Sequence, residues 1–218
     1  MLMRIYLYKL IFVIVFASGV ARQARAQINL NYTLTGDIGN YPALNVNGDA
    51  SLTSGGGDPA NSGWLRLTTD QTTKVGYAFV EQAFPSVQGV SLEFEYKIWG
   101  IGTNNNGGLA DGLSVFLYDG SVLATSFSSG LSGGALGYAG STSNNTALNG
   151  GYVGIGFDEW GNYSCTCVAN GTGSVNTNVL QSIAVRGPSG PNRNQCTYLG
   201  GTGASLTNTV SVTVDPNI

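Results

Sequence analysis

Apolar and polar residues alternate along much of this chain with a period of two. Over 91–98 the run Ser-Leu-Glu-Phe-Glu-Tyr-Lys-Ile puts Leu92, Phe94, Tyr96 and Ile98 on one side and Glu93, Glu95 and Lys97 on the other. That pattern predicts a strand with one buried face. Shorter strand-like runs occur at 28–34, 64–68, 75–79, 113–118, 152–157, 182–185 and 210–214. Clusters of Gly, Asn, Ser and Asp separate them, and no segment sustains a helical apolar period. Many short strands with Gly-rich connections predict an all-β fold, an antiparallel β-sandwich or jelly roll. Two loops of small residues, 104–108 and 126–151, are either ligand-presenting segments on a rigid sheet or flexible spacers.

The first 26 residues break the pattern. Arg4 and Lys9 precede an apolar run over 10–20, and Ala24-Arg25-Ala26 fits the small-x-small cleavage rule, leaving Gln27 as the new N-terminus. The run is shorter than the roughly 20 residues that span a bilayer. A signal peptide over 1–26 and one domain over 27–218 are therefore expected, secreted or at the cell surface, with no membrane insertion after cleavage. Beyond the cleavage point five basic residues face twelve acidic ones, a formal charge of −7. This argues against nucleic acid and anionic membranes as partners. The strand at 210–214 is followed by a turn-like Asp215-Pro216-Asn217 just before Ile218. The returning strand would lie further on, so the domain is expected to be incomplete at its C-terminus.

Histidine is absent, which removes Ser-His-Asp and Cys-His catalysis, imidazole-based zinc sites and a pH switch near neutrality. The three cysteines are Cys165, Cys167 and Cys196. In an exported chain the default is a disulfide, with Cys196 bonded to Cys165 or Cys167 and one thiol left over.

The segment Gly154-Ile155-Gly156-Phe157-Asp158-Glu159-Trp160-Gly161-Asn162 runs from an apolar strand into an acid, an aromatic and an amide two residues apart. Strand periodicity would place 158, 160 and 162 on one side. The Asp158 carboxylate, the Trp160 carbonyl and the Asn162 amide oxygen would then form a hard-oxygen pocket of the kind calcium takes. A second acid opens the run Ala110-Asp111-Gly112-Leu113-Ser114-Val115-Phe116-Leu117.

Ala110-Asp111-Gly112-Leu113, Gly133-Gly134-Ala135-Leu136-Gly137 and Phe157-Asp158-Glu159-Trp160-Gly161-Asn162 occur in the order and approximate spacing of L-type (legume-lectin-like) lectins. Phe116-Leu117-Tyr118-Asp119-Gly120 and Val185-Arg186-Gly187-Pro188 resemble the bacterial adhesin branch of that family more than the plant branch. The resemblance runs from about Gln27 to the end of the chain and is specific mainly between Leu92 and Pro188. It implies a concanavalin-like sandwich and a carbohydrate site. Asp111, after a cis peptide bond, would accept hydrogen bonds from two adjacent sugar hydroxyls. Gly134, or Gly133 beside it, would offer a backbone N–H to the same sugar. Asn162 would place its oxygen on calcium and its nitrogen on a sugar hydroxyl. Trp160 would give its carbonyl to calcium and its ring to the sugar's C–H face.

The chain also departs from the plant-type pattern. The Glu two residues before the metal-binding Asp is here Gly156, the His is missing, and no carboxylate stands near Cys165 to Cys167. No transition metal is expected. Calcium keeps the ligands Asp158, Trp160 and Asn162, with Glu159 as a local substitute, at an affinity on the order of 0.1–1 mM; a disulfide that pins the Cys165–Cys167 region would make it dispensable. Three functions compete. The first is non-enzymatic glycan recognition or adhesion, calcium-assisted. The alternative is a structural or protein-binding sandwich that has lost the sugar. A glycoside hydrolase is disfavoured, because the Glu-x-Asp-x-x-Glu pattern of enzymes on this fold reads Gly156, Asp158 and Gly161.

Overall fold

A computed structural model describes residues 28–87, 89–99, 109–141, 146–168, 177–203 and 209–214, with 202–203 and 209–214 as backbone. The expected signal peptide, the 104–108 loop and the 215–217 turn lie outside these residues. The strands belong to one compact unit, Tyr32–Ile218. In chain order they are β1 (Leu44–Gly48), β2 (Ser51–Leu52), β3 (Leu65–Arg66), β4 (Gly76–Val80), β5 (Val90–Glu95), β6 (Gly112–Tyr118), β7 (Gly151–Asp158), β8 (Ser182–Arg186), β9 (Tyr198–Gly203) and β10 (Thr209–Val214). Helical structure among the described residues is confined to three single 3-10 turns. The fold is all-β and antiparallel, as the alternation predicts.

The largest sheet has the order β6-β7-β8-β9, and β1 pairs with β4, β2 with β3, and β5 with β10. Side chains from β5 meet one face of the large sheet. Phe157 of β7 is fully buried, with its ring 5.7 Å from that of Phe94 and 5.4 Å from that of Tyr96. Val90 and Leu92 line the same apolar cleft as Val115, Leu117, Val153 and Ile155. A second aromatic cluster gathers on Phe127, which stacks 4.0 Å from Phe79 and also meets Phe116, Tyr118 and Tyr77. Truncating Phe157 removes the ring shared by Phe94 of β5 and Tyr96 just after it. Phe157→Ala is expected to lower unfolding free energy by about 3–5 kcal/mol, read from the denaturant midpoint at unchanged slope.

The opposite face of β7 presents Gly154 and Gly156, and two tyrosine rings lie directly on them. A Cβ on Gly154 would sit 2.3 Å from Tyr138 Cγ, and one on Gly156 2.3 Å from Tyr163 Cδ1. Tyr138 arrives from the long loop after β6 and Tyr163 from the loop after β7. Both are fully buried, in a core cluster with Leu136, Ala139, Ala147, Leu148, Val168, Ala184 and Cys196. The 126–151 segment is therefore no spacer where it is described. It forms a packed cover on the large sheet, anchored by Tyr138 OH to Gly187 O (2.9 Å), Arg193 Nε to Ala147 O (2.6 Å) and Leu148 N to Tyr138 O (2.7 Å).

Four expectations require correction. Residues 28–34 form no strand, and the 64–68 strand shrinks to Leu65–Arg66. The β7 strand ends at Asp158, so Asp158, Trp160 and Asn162 do not follow strand periodicity; the backbone turns through Gly161 at φ +84°. The disulfide joins Cys165 to Cys167, and Cys196 keeps a thiol. Cys196 is held elsewhere: its sulfur lies 4.0 Å from Tyr138 O and its carbonyl accepts from Arg186. Burial pushes that thiol up to about 11, so it is protonated at neutral pH.

Candidate functional site

Asp111 stands just before β6, and its peptide bond to Ala110 is cis. The register brings Gly112 opposite Asp158 at the end of β7, so the chain leaving β7 passes beside Asp111. Its backbone carbonyl accepts from Glu159 N (2.9 Å) and Trp160 N (3.1 Å). These bonds tie the loop after β7 to the mouth of β6 through the main chain and leave the Asp111 carboxylate for other partners.

The glycine-rich turn comes to the same place. Gly133–Ala135 is a single 3-10 turn, and the Leu136 carbonyl that follows accepts from Ser114 Oγ of β6 at 2.6 Å. A Cβ on Gly133 would lie 3.8 Å from Asp111 Oδ2. One on Gly134 would lie 2.4 Å from both Cγ and Nδ2 of Asn162. Only a residue without a side chain admits the Asn162 amide there. Asn162 hydrogen-bonds Asp111 through its side chain, which lowers the carboxyl's affinity for protons, while burial raises it further and sets the net upward shift. A carboxylate can only accept, so the Asn162 amide nitrogen donates and its oxygen is turned away. That oxygen, Oδ1, is buried and has no partner among the described residues.

Asp111, Gly133, Gly134 and Asn162 are thus brought together from three segments far apart in sequence. Trp160 joins them through its backbone N–H, with its side chain partly buried. Asp158 is different. It is fully buried, and its carboxylate accepts from Gly161 N at 2.8 Å and from Tyr163 N. Burial pushes its carboxyl up to about 6, against the pull of N–H bonds from Tyr163, Gly161 and Trp160 and with a further push from the Asp111 charge. Charge on Glu159 contributes to raising Tyr96, which packs on the other face of β7.

The expected calcium ligands can be tested against this geometry. Calcium takes six to eight oxygens, usually with several carboxylates. Of the three expected ligands Asp158 alone is a carboxylate, and the main-chain N–H groups of Gly161 and Tyr163 converge on it. Among the described residues no group of three His, Cys, Asp or Glu side chains could hold a metal. Asn162 Oδ1 is left without a hydrogen-bond partner among the described residues. The Gly156 position, an acid in the plant-type pattern, lies under the Tyr163 ring.

Sequence reasoning gave no role to Arg186, Tyr138 or Tyr163. Arg186 is fully buried on β8 opposite Gly154. It donates from Nε to Tyr163 O (2.8 Å) and from its terminal nitrogens to Cys196 O (3.0 Å) and Cys165 O (3.1 Å). Its guanidinium lies 5.3 Å from the centre of the Tyr163 ring. The available signal was the glycine alternation of β7, which leaves room for rings. Neither a protein-family model nor a curated protein matches this chain. No helix of the described residues is long and apolar enough to cross a membrane.

Proposed function

We propose that this chain is a carbohydrate-binding domain of a secreted or surface protein, an L-type-lectin-like member of the concanavalin-like sandwiches that recognises glycans without changing them. One observation carries the reading: the Asp111 carboxylate, the Gly133–Gly134 turn and the Asn162 amide, from three separate motifs, meet in one polar cluster. A sugar presents pairs of adjacent hydroxyls, each a donor and an acceptor. The half-buried Asp111 carboxylate suits two such donors, and charge-assisted bonds of this kind are the strong ones. The partnerless Asn162 Oδ1 is an acceptor that costs about 1–3 kcal/mol while unsatisfied; a ligand hydroxyl would relieve it. Gly134 N–H and the Trp160 ring are assigned the donor and the platform.

Hydrolysis is disfavoured by Asp158. A glycosidase needs two carboxylates on the substrate, whereas this second acid is sealed from solvent and committed to backbone amides. A protein-binding sandwich remains the second reading, favoured by large apolar side chains on the surface, among them Trp99 at 68% exposure, Leu199 at 62% and Tyr152 at 61%.

A glycan array run with calcium, with chelator and with Asp111→Asn tests the proposal. Binding to one glycan class that is lost in the variant supports it; silence from a folded sample favours the protein-binding reading. Gly134→Ala is expected to act through Asn162, because the added methyl would occupy the place of its amide. Glycan affinity should fall about tenfold or more, which is about 1.4 kcal/mol. Isothermal titration of wild type and variant checks this.

A further inference from the structure

The loop after β7 carries two of the assigned sugar contacts, Trp160 and Asn162, and its polar backbone groups divide by sign. Main-chain N–H groups of Gly161 and Tyr163 bond the Asp158 carboxylate. Carbonyls of Tyr163 and Cys165 bond the Arg186 guanidinium, which also takes the carbonyl of Cys196. The anion thus gathers amides and the cation gathers carbonyls, from opposite sides of one turn. Both charged groups are fully buried, and both stand on regular strands of the same sheet. Between them the Tyr163 ring packs on Gly156 and against the guanidinium. The Cys165–Cys167 bond closes the far side of the same loop.

We propose that Asp158 and Arg186 form a side-chain clamp that holds the 159–167 loop in its binding shape without a metal ion, so that Arg186 is a positioning residue for a calcium-independent sugar site. A bound cation would orient this loop by collecting its oxygens. Here a guanidinium does so, with donors in a rigid planar fork that a compact ammonium cannot reproduce. The position beside Asp158 is filled by N–H dipoles, which stabilise the anion and repel a second cation. The clamp itself stands on these contacts. Only its consequence for sugar rests on the lectin reading.

The purified wild-type protein is examined first, in chelator and in about 10 mM calcium. A calcium site of about 1 mM dissociation constant would raise the melting temperature by about 3–6 °C under those conditions. The expected result is a shift below about 1 °C, with hydrogen exchange at the Gly161 and Tyr163 amides the same in both buffers. A shift of several degrees, or slower loop exchange in calcium, overturns the proposal. Arg186→Lys is the second arm. It keeps the charge and loses the fork, so exchange over 159–167 should speed about tenfold or more while the β7 amides hold. Glycan affinity should fall with it. Unchanged loop exchange in that variant also overturns the clamp; if the variant does not fold, the chelator and calcium comparison decides alone. Glycan binding that requires calcium contradicts the calcium-independent site. Absence of glycan binding in every buffer counts against the lectin reading, and the exchange data still judge the clamp.

Discussion

Asp111→Asn is expected to reduce glycan affinity by at least about 100-fold while moving the melting temperature by no more than about 2 °C. The two effects separate because Asp111 ties the fold through its carbonyl, whereas on the proposed reading it would hold the ligand through its carboxylate. Its backbone carbonyl accepts from Glu159 N and Trp160 N, and an asparagine keeps that carbonyl. Its carboxylate carries no such structural bonds beyond Asn162, and an asparagine side chain can pair with another amide. Burial already disfavours the charged form of Asp111, so neutralising it removes a desolvation cost rather than a stabilising contact. For a bound sugar the balance reverses. Two hydroxyl donors lose an ionised acceptor, each such bond being worth about 1.5–3 kcal/mol, and the new amide nitrogen presents a donor where an acceptor is needed. A loss of about 3 kcal/mol is about two orders of magnitude in affinity. Titration calorimetry or surface plasmon resonance on the glycan class found by array, with thermal denaturation in parallel, reads both numbers. Wild-type affinity in the variant would leave the Asp111 cluster as a structural knot and return the surface aromatics to the foreground.

The same division between main chain and side chain explains what the sequence revealed. Strands β4 to β8 were legible because each alternates or runs apolar, and a pleated backbone turns alternation directly into a buried face. Phe94 and Tyr96, placed on one side by their spacing, do meet Phe157. Strand β9, Tyr198–Gly203, was missed because its Gly200-Gly201 pair reads as a turn, and β1 because Asn45 and Asn47 break its apolar run. Residues 28–34 alternate like a strand, yet local pattern does not supply the neighbour a strand must pair with. Asp111, Gly133, Gly134 and Asn162 were singled out by the resemblance of their three motifs to L-type lectins, and in the structure these residues lie together. Arg186 was not visible. It entered as one of five basic residues and within the Val185-Arg186-Gly187-Pro188 resemblance, with no role attached, and only the register of β8 against Gly154, with its bond to the Tyr163 carbonyl, gives it one. The cysteine pairing failed for a like reason: spacing cannot tell which thiol the core will claim.

Gly156→Ala should destabilise the protein by about 2–4 kcal/mol, roughly 5–15 °C in melting temperature. The added carbon would lie 2.3 Å from Tyr163 Cδ1, 2.7 Å from Cε1 and 3.0 Å from Leu136 Cδ1. The ring has little room to retreat. Its own N–H is bonded to Asp158, its carbonyl to Arg186, and the guanidinium covers it. Interiors packed this closely accommodate an extra carbon only by moving side chains off their rotamers or shifting backbone. Gly39→Ala is the control, since a Cβ there meets nothing within 4 Å, and its effect should stay within about 0.5 kcal/mol. The decisive measurement is a double-mutant cycle with Tyr163→Ala. That change alone empties a buried aromatic site and costs about 3–5 kcal/mol. With the ring gone, Gly156→Ala should cost little or even fill part of the space, giving a coupling of about 2 kcal/mol or more between the two positions. Additive costs would show that Gly156 is needed for its backbone and not for the ring. Gly156→Glu carries the argument one step further. It restores the acid of the plant-type pattern at a point occupied by an aromatic ring, so it should unfold more readily than Gly156→Ala, and manganese or zinc should not recover the loss. The glycine and the tyrosine are one solution to packing this loop, the acid and its metal another, and the sheet has space for only one of them.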